Sequence, residues 1–410
     1  MRLNLLFKKL LMSILIFTVL GSFVGISYAY FDNLEATTNE NISLGEWGFD
    51  SCTKIYTAQE FYDFATASTS SSSDEYCLGN DIDFSSFTWS YLGSFDNNQF
   101  NGTFDGKNYT LSNLTIITTD ASSTNLSLFS SMDGATIKNV KINNLNMGFT
   151  TAYYASSSLK SAIFASQVTG TNNYIENITI TDSEVLASNL SGGGGLVAQV
   201  EANADLTIKN IKTRNLTVLN NSKRAGGLIS RAIKGTGTIV IEDVDFEGYV
   251  AAGNATSNTG GIIGTVQNMT ISMTRVIVEY TASGTVNLSD GPVSYTSNKY
   301  VGGFVGNTQT GSVMTFEDTF FTGELQTTFI NLGSLIGRRK PNPIVNDSYY
   351  SNAIFGTSNT PSTSSGVLNA TEVNATSMPS NAWWDAFKVD FDAANGHWTQ
   401  DASGRLILIR

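Results

Sequence analysis

Apolar and polar positions alternate along this chain in short bursts that recur at a nearly constant distance. The pattern small-x-aliphatic-aliphatic-small appears seven times, at Leu126–Ser130, Ser161–Ala165, Gly194–Ala198, Gly226–Ser230, Gly260–Gly264, Gly302–Gly306 and Gly333–Gly337. Only the first copy opens on a large residue, and the starts lie 35, 33, 32, 34, 42 and 31 residues apart. A second pattern, apolar-x-Asn/Asp-apolar, follows each copy, as in Ile137-Lys138-Asn139-Val140, Ile175-Glu176-Asn177-Ile178, Ile208-Lys209-Asn210-Ile211 and Ile241-Glu242-Asp243-Val244. It degrades at Met273–Val276, Phe316–Thr319 and Val345–Ser348, and a copy without its partner stands upstream at Leu111–Leu114. A period of this size marks stacked units, none of which can bury its apolar face alone.

Around the Asn/Asp position the apolar residues follow the strand period of two: Val140 and Ile142, Ile178 and Ile180, Val244 and Phe246. Gly, Ser, Thr and Asn interrupt every window long enough for an amphipathic helix. Short strands without a crossover helix predict an all-β, right-handed parallel β-helix. An amide at the same place in every coil can bond the coils above and below, as in stacked Asn ladders. Small residues at the flanks of the aliphatic pair permit tight corners. The competing architecture, a leucine-rich horseshoe, requires a shorter and stricter period.

The ends break the pattern. Residues 1–29 read as a secretory signal peptide, with Arg2, Lys8 and Lys9 before an apolar run and Ser27-Tyr28-Ala29 as the cleavage site; uncleaved, the run is almost long enough for a membrane anchor. The following Tyr30-Phe31-Asp32 and Asn39 to Gly45, in an N-terminal extension over 30–50, resemble the opening of secreted bacterial matrix proteins of the camelysin and TasA kind. The chain continues with an N-terminal cap and first coil over 51–110, repeats over 111–356, and a C-terminal linker and Trp-rich cap over 357–410. In the first cap, Thr57-Ala58-Gln59-Glu60 is a capping-box signature for a short helix carrying Phe61 and Phe64. Cys52 and Cys77 are the two cysteines and in an oxidising compartment form one disulfide.

Composition fits an extracellular all-β repeat protein: 14% charged residues, 37 Gly and one His. Loss of residues 1–29 removes three positive charges and no negative ones, taking the formal charge from −12 to −15, which disfavours nucleic acid and anionic membrane as partners.

Several stretches resemble a known family. Tyr56 to Phe61, Leu78-Gly79-Asn80-Asp81-Ile82-Asp83-Phe84, Trp89 to Gly93 and Phe100-Asn101-Gly102-Thr103-Phe104-Asp105-Gly106 are similar to the opening of the bacterial GLUG-motif β-helix proteins. The Gly-Gly-aliphatic-aliphatic-Gly repeats resemble the GLUG motif itself, and Trp398 to Ile409 resembles the family's terminal strand. The resemblance spans about residues 50 to 410. It implies a parallel β-helix in secreted or surface-attached, adhesin-like proteins, and transfers no catalytic residue.

Candidate chemistry is sparse. Asp243, Asp245 and Glu247 alternate along one strand as a solvated polar face that could also bind Ca²⁺. Lys209, Lys212, Arg214, Lys223, Arg224, Arg231 and Lys234, on two neighbouring repeats, form the candidate patch for an anionic or polysaccharide ligand. His397 stands beside Trp398 without a nucleophile pattern, and Gly192 to Gly195 lacks the Lys-Ser/Thr of a phosphate loop. These features predict a monomeric, non-catalytic secreted or cell-surface β-helix, adhesin-like, with no cofactor or metal. It would bind an extracellular carbohydrate or protein through its lateral face and loops. A polysaccharide lyase or glycosidase, and a structural matrix component, are the alternatives.

Overall fold

The computed structural model describes residues 51–66, 74–89, 99–118, 125–149, 160–187, 192–221, 223–253, 257–281, 284–288, 291–295, 300–323, 331–338, 344–346, 348–351, 371–373, 398–400 and 406–408. The candidate signal peptide and the 30–50 extension lie outside these residues, as do Trp383, Trp384, Phe387 and His397. The chain divides into two compact units, Met1–Ser51 and Cys52–Arg410.

The second unit is a parallel β-solenoid. Three stacked sheets of 16, 7 and 8 strands run through it, and every pairing along them is parallel. One coil shows the plan: Gly193–Gly194 lies in the 7-stranded sheet, Val197–Val200 in the 8-stranded sheet and Leu206–Asn220 in the 16-stranded long sheet. The next coil repeats it with Arg224–Gly226, Ile229–Ala232 and Thr238–Ala252. Pairing in register stacks like on like, so Ile137, Ile175, Ile208, Ile241, Met273 and Phe316 form one continuous buried row. Each such apolar side chain contributes roughly 1.5–3 kcal/mol by leaving water.

Asparagine bends the long strands. Asn139, Asn177, Asn210 and Asp243 all have left-handed backbones, with φ of 56°, 58°, 53° and 53°. Asn and Asp tolerate that region better than other non-glycine residues. Asn139 Nδ2 donates to Asp105 Oδ1 at 2.9 Å, Asn177 to Asn139 at 2.8 Å and Asn210 to Asn177 at 3.0 Å. A second ladder runs beside the first. Asn113 donates to Asp83 at 2.8 Å, Asn144 to Asn113 at 2.7 Å and Asn215 to Asp182 at 2.9 Å. The upstream copy at Leu111–Leu114 therefore belongs to the second ladder, because Leu111 pairs with Ile142 and not with Ile137.

The corner motif joins the 7- and 8-stranded sheets, and its small positions are set by backbone approach. A Cβ on Gly194 would lie 2.0 Å from the carbonyl oxygen of Val197, and one on Gly227 would lie 1.9 Å from that of Gly261 in the next coil. The second copy starts in register with the first, Ser161 pairing with Leu126, but Ala165 and not Phe164 pairs with Phe129, so it holds one more residue than the first copy between the two sheets. Against the third copy both pairings are shifted by one, Ser161 to Gly193 and Ala165 to Val197.

Helix α1 (Ala58–Thr66) covers the first coil. Glu60 N–H donates to Thr57 Oγ1 at 3.2 Å and Thr57 N–H to Glu60 Oε2 at 3.1 Å, a reciprocal capping box. Phe61 packs on Phe84, Trp89 and Phe104, and Phe64 on Phe100 and Phe129, which closes the apolar end of the solenoid. Cys52 and Cys77 are joined by a disulfide across this cap, with their Cα atoms 5.7 Å apart. At the other end, Thr371–Val373 pairs parallel with Tyr349–Ser351, so the solenoid continues past residue 356. The insertion after Ala282 contains an antiparallel hairpin, Gly284–Leu288 with Gly291–Tyr295.

Candidate functional site

The basic residues that cluster in sequence do not form one patch. A solenoid carries successive residues around its circumference, and the seven are dealt to different faces. Lys209, Lys212 and Arg214 lie on the long sheet, Arg224 begins a strand of the 7-stranded sheet and Arg231 sits on the 8-stranded sheet, while Lys223 and Lys234 lie in the turns beside them. Lys209 is one rung of an alternating charge ladder, Asp105–Lys138–Glu176–Lys209–Glu242, stacked by strand register. Its Nζ lies 3.3 Å from Glu242.

Lys212 and Arg214 are used structurally, together with the acidic strand. Beyond Asn215 the next coil is one residue shorter: Lys212 pairs with Asp245, whereas Leu216 pairs with Gly248. The second ladder has no rung there, and Thr213 fills the irregularity by accepting from Glu247 N–H at 2.9 Å. Onto this place docks the C-terminal hairpin, Trp398–Gln400 with Leu406–Leu408. Trp398 Nε1 donates to Asp243 Oδ1 at 2.9 Å, Leu408 N–H to Asp245 Oδ2 at 3.2 Å, and Lys212 Nζ to the Leu408 carbonyl at 2.9 Å. Arg275 forks onto Asp243 at 2.6 and 3.0 Å, and Arg214 bridges Asp245 at 2.5 Å and Glu247 at 3.3 Å. Asp243 and Asp245 are therefore buried, at 4% and 0% exposure, and not a solvated face. Burial works to raise the Asp243 carboxyl, but the hydrogen bonds from Arg275 and Trp398 outweigh it and hold the group below its ordinary range. Among the described residues no group of three or more His, Cys, Asp or Glu stands where it would hold a metal ion.

A different surface gathers polar groups without a structural use for all of them. At the glycine corners the 7- and 8-stranded sheets bring two rows of side chains into contact along a narrow cleft. Across this cleft Asn258 Nδ2 donates to Thr265 Oγ1 at 3.0 Å, and the Arg338 guanidinium lies 4.9 Å from the centre of the Tyr300 ring. Strand register defines the walls. One row runs Lys160, Gly192, Arg224, Asn258, Tyr300; the other runs Gln167, Gln199, Arg231, Thr265, Asn307, Arg338. Gln199 Oε1, Asn258 Oδ1 and Asn307 Oδ1 are buried without a hydrogen-bond partner in the protein. Leaving such an oxygen unsatisfied costs about 1–3 kcal/mol, so three in one cleft call for an explanation.

Arginine supplies the matching donors. Arg231 directs Nε and Nη2 to the neutral Gln267 Oε1, at 3.1 and 2.7 Å. Arg224 lies opposite on the same coil, and its guanidinium is pushed down to about 10 by burial, with the charge of Arg231 adding to the effect. Arg224, Arg231, Tyr300 and Arg338 are partly exposed at the rim, while Gln199, Asn258, Thr265 and Asn307 are buried beneath them. Of the expected patch, Arg224 and Arg231 alone line it. The rows lacked a sequence signal because Gln, Arg, Thr and Asn share no apolar period. Their position, two residues before the motif and one after it, would have identified them.

No protein-family model and no curated protein matches the sequence. Among solved structures, the chain is similar to "a putative immunoglobulin A1 protease from Bacteroides ovatus", with TM-score 0.56, 18% identity, and coverage of 88% of this chain and 93% of that one. A second similar structure is named IgA1 protease, with TM-score 0.34, 12% identity and coverage of 82% of this chain but 24% of that one. At these identities the likeness concerns the fold. It nevertheless corrects the expectation of a chain that is not an enzyme, since a solved chain of this fold carries a protease's name. Because the β-helix repeats are scaffold, their lack of transferable catalytic residues was no argument against activity.

Proposed function

We propose that this chain is a secreted or cell-surface β-helix of the GLUG kind that recognises an extracellular macromolecule, with the cleft between the 7- and 8-stranded sheets as its binding surface. The observation that carries the reading is the set of three buried, unpartnered carbonyl oxygens on Gln199, Asn258 and Asn307, beside the half-buried guanidinium of Arg231. A ligand that engages the partly exposed rim and parts the two rows can satisfy these oxygens and recover the penalty of leaving them unmade.

The sequence supports an extracellular setting through its signal-like opening and its GLUG-like corners. Immunoglobulin A1, from the name of the structural neighbour, is one macromolecule to try, and extracellular glycans are the other. The test incubates the full chain with immunoglobulin A1 and with a glycan array, reading binding and cleavage products together. Binding to either, weakened tenfold or more by Asn307→Ala or Gln199→Ala in a folded protein, supports the reading. Binding unchanged by both substitutions overturns it. Cleavage products in the same reactions would add hydrolysis to recognition.

A further inference from the structure

We infer that the dock beneath the C-terminal hairpin is exchangeable: it takes the hairpin of a second copy of this chain in place of its own. The dock lies on the long sheet and shares no residue with the cleft, so hairpin exchange neither needs nor excludes a ligand there.

The hairpin meets the solenoid as a ligand meets a site. Its strands, Trp398–Gln400 and Leu406–Leu408, form a sheet of their own, and neither joins a ladder of the three stacked sheets. A lone two-stranded hairpin is marginal in water, so its stability comes from the surface it rests on. That surface is complementary: Asp243 and Asp245 accept from the Trp398 indole and the Leu408 N–H, and Lys212 donates to the Leu408 carbonyl. Trp398, Leu406 and Leu408 are buried, yet they stand outside the solenoid's inner core. The outward row of the long sheet changes to match. In the earlier coils it holds the exposed Lys141 and the half-buried Thr179; register then carries it through Lys212 to Asp245, Ile277 and Phe320, all three of them buried.

Chain length sets which copy's hairpin can reach the dock. From Asp245 the row passes through Ile277, Phe320 and Tyr349 to Thr371, four coils on, a distance of about 19 Å at the strand spacing of about 4.8 Å. Residues 374–397, 24 in number, join that last strand to the hairpin. A chain of that length spans at most about 80 Å. It therefore reaches its own dock with length to spare, and reaches the dock of a neighbouring copy with every contact preserved. Tethering holds the hairpin at its own dock at an effective concentration on the order of millimolar, so the chain closed on itself prevails in dilute solution. Exchange needs an opened hairpin and concentrated protein. Reciprocal exchange closes a two-fold dimer, whereas exchange passed onward builds a linear array that leaves the α1-capped end of the solenoid unused.

Two full-length variants, each broken on one side of the contact, test this by analytical ultracentrifugation. Trp398→Asp sets a carboxylate against Asp243 and spoils the hairpin while leaving the dock. Asp243→Gly keeps the left-handed corner and spoils the dock while leaving the hairpin. An equimolar mixture at high concentration should form a complex of twice the chain mass, roughly tenfold more of it than either variant alone. Circular dichroism like that of the unaltered chain is required of both. A mixture that sediments as the sum of its separate variants would overturn the inference. The unaltered chain supplies a second measurement that depends on no variant's folding: concentrated, warmed to open the hairpin and then cooled, it should yield dimers on size exclusion. Absence of those dimers would also overturn exchange. So would equal dimer formation by Trp398→Asp, which would place the association elsewhere on the solenoid.

Discussion

The indole Nε1–H of Trp398 donates to Oδ1 of Asp243 at 2.9 Å, tying the end of the chain to a coil corner 155 residues upstream. Asp243 occupies the column that Asn139, Asn177 and Asn210 fill in earlier coils. A carboxylate cannot donate, so the ladder of amides stops there. Its two oxygens instead receive Arg275 from the next coil and Trp398 from the hairpin.

Trp398→Phe keeps the ring and removes that donor. A hydrogen bond to a charged acceptor contributes about 1.5–3 kcal/mol, so the hairpin should open more often while the solenoid stays intact. Hydrogen exchange followed by mass spectrometry checks this: peptides over 398–408 should lose roughly tenfold or more of their protection, with those over 206–220 unchanged. Equal loss in both regions would show that the hairpin is part of the solenoid's cooperative unit.

Acid should release the same contact. The Asp243 carboxyl, ordinarily near 3.8, is held lower when folded: burial raises it, but the hydrogen bonds from Arg275 and Trp398 and the charge of Arg275 outweigh that. A group depressed in this way contributes stability above its unfolded value and loses it as pH falls through the folded one. Hairpin protection should therefore be full at pH 5 and decline below about 3.8. In Asp243→Asn the decline over that window should be shallower, because the Asp243 carboxyl no longer titrates there. An unchanged slope would assign the transition to other groups.

Much of this was legible in sequence, and the rest failed for identifiable reasons. The stacked coils, the capping box and the first Asn column show because parallel register forces equal side chains to equal places. The second ladder hid inside the first, since Leu-x-Asn-Leu at 111–114 satisfies either column and pairing with Ile142 decides between them. The extra residue between Ser161 and Ala165 was hidden because Ser161-Ala162-Ile163-Phe164-Ala165-Ser166 has small residues at both ends, so the pattern fits with or without it. The basic cluster misled because closeness in sequence becomes distance around a coil. The cleft is a property of two sheets meeting, and the hairpin dock depends on one missing residue beside Gly248.

Within the first ladder, Asn177 has two tasks. It adopts φ of 58°, and its side chain donates to Asn139 and accepts from Asn210. Asn177→Ala loses both bonds, at about 1 kcal/mol each, and places a Cβ residue without local compensation in the left-handed region, at roughly 1–2 kcal/mol. Asn177→Gly loses the bonds and keeps the backbone comfortable. Thermal or urea unfolding should rank wild type above Gly and Gly above Ala, with about 1 kcal/mol between the variants. Reversal of the two would mean that the ladder, and not the corner conformation, sets the residue.

The disulfide should stabilise the cap alone. Cys52 and Cys77 are 25 residues apart and bracket helix α1, whose Phe61 and Phe64 close the first coil. Closing a loop of that length stabilises by about 3–4 kcal/mol in the chain-entropy model. In a solenoid each coil contacts only its neighbours, so loss of the link should act locally. The double variant Cys52→Ser, Cys77→Ser should expose residues 53–66 to limited proteolysis first, under conditions where the coils from Asn173 onward resist. If the cap frays, the aromatic layer of Phe84, Phe100 and Phe104 becomes the new end of the stack. Such an exposed apolar end invites a second copy, and sedimentation should then show association in the variant that reduced temperature weakens. A variant that sediments like the unaltered protein with its cap protected would show that the aromatic packing of α1 holds without the covalent link.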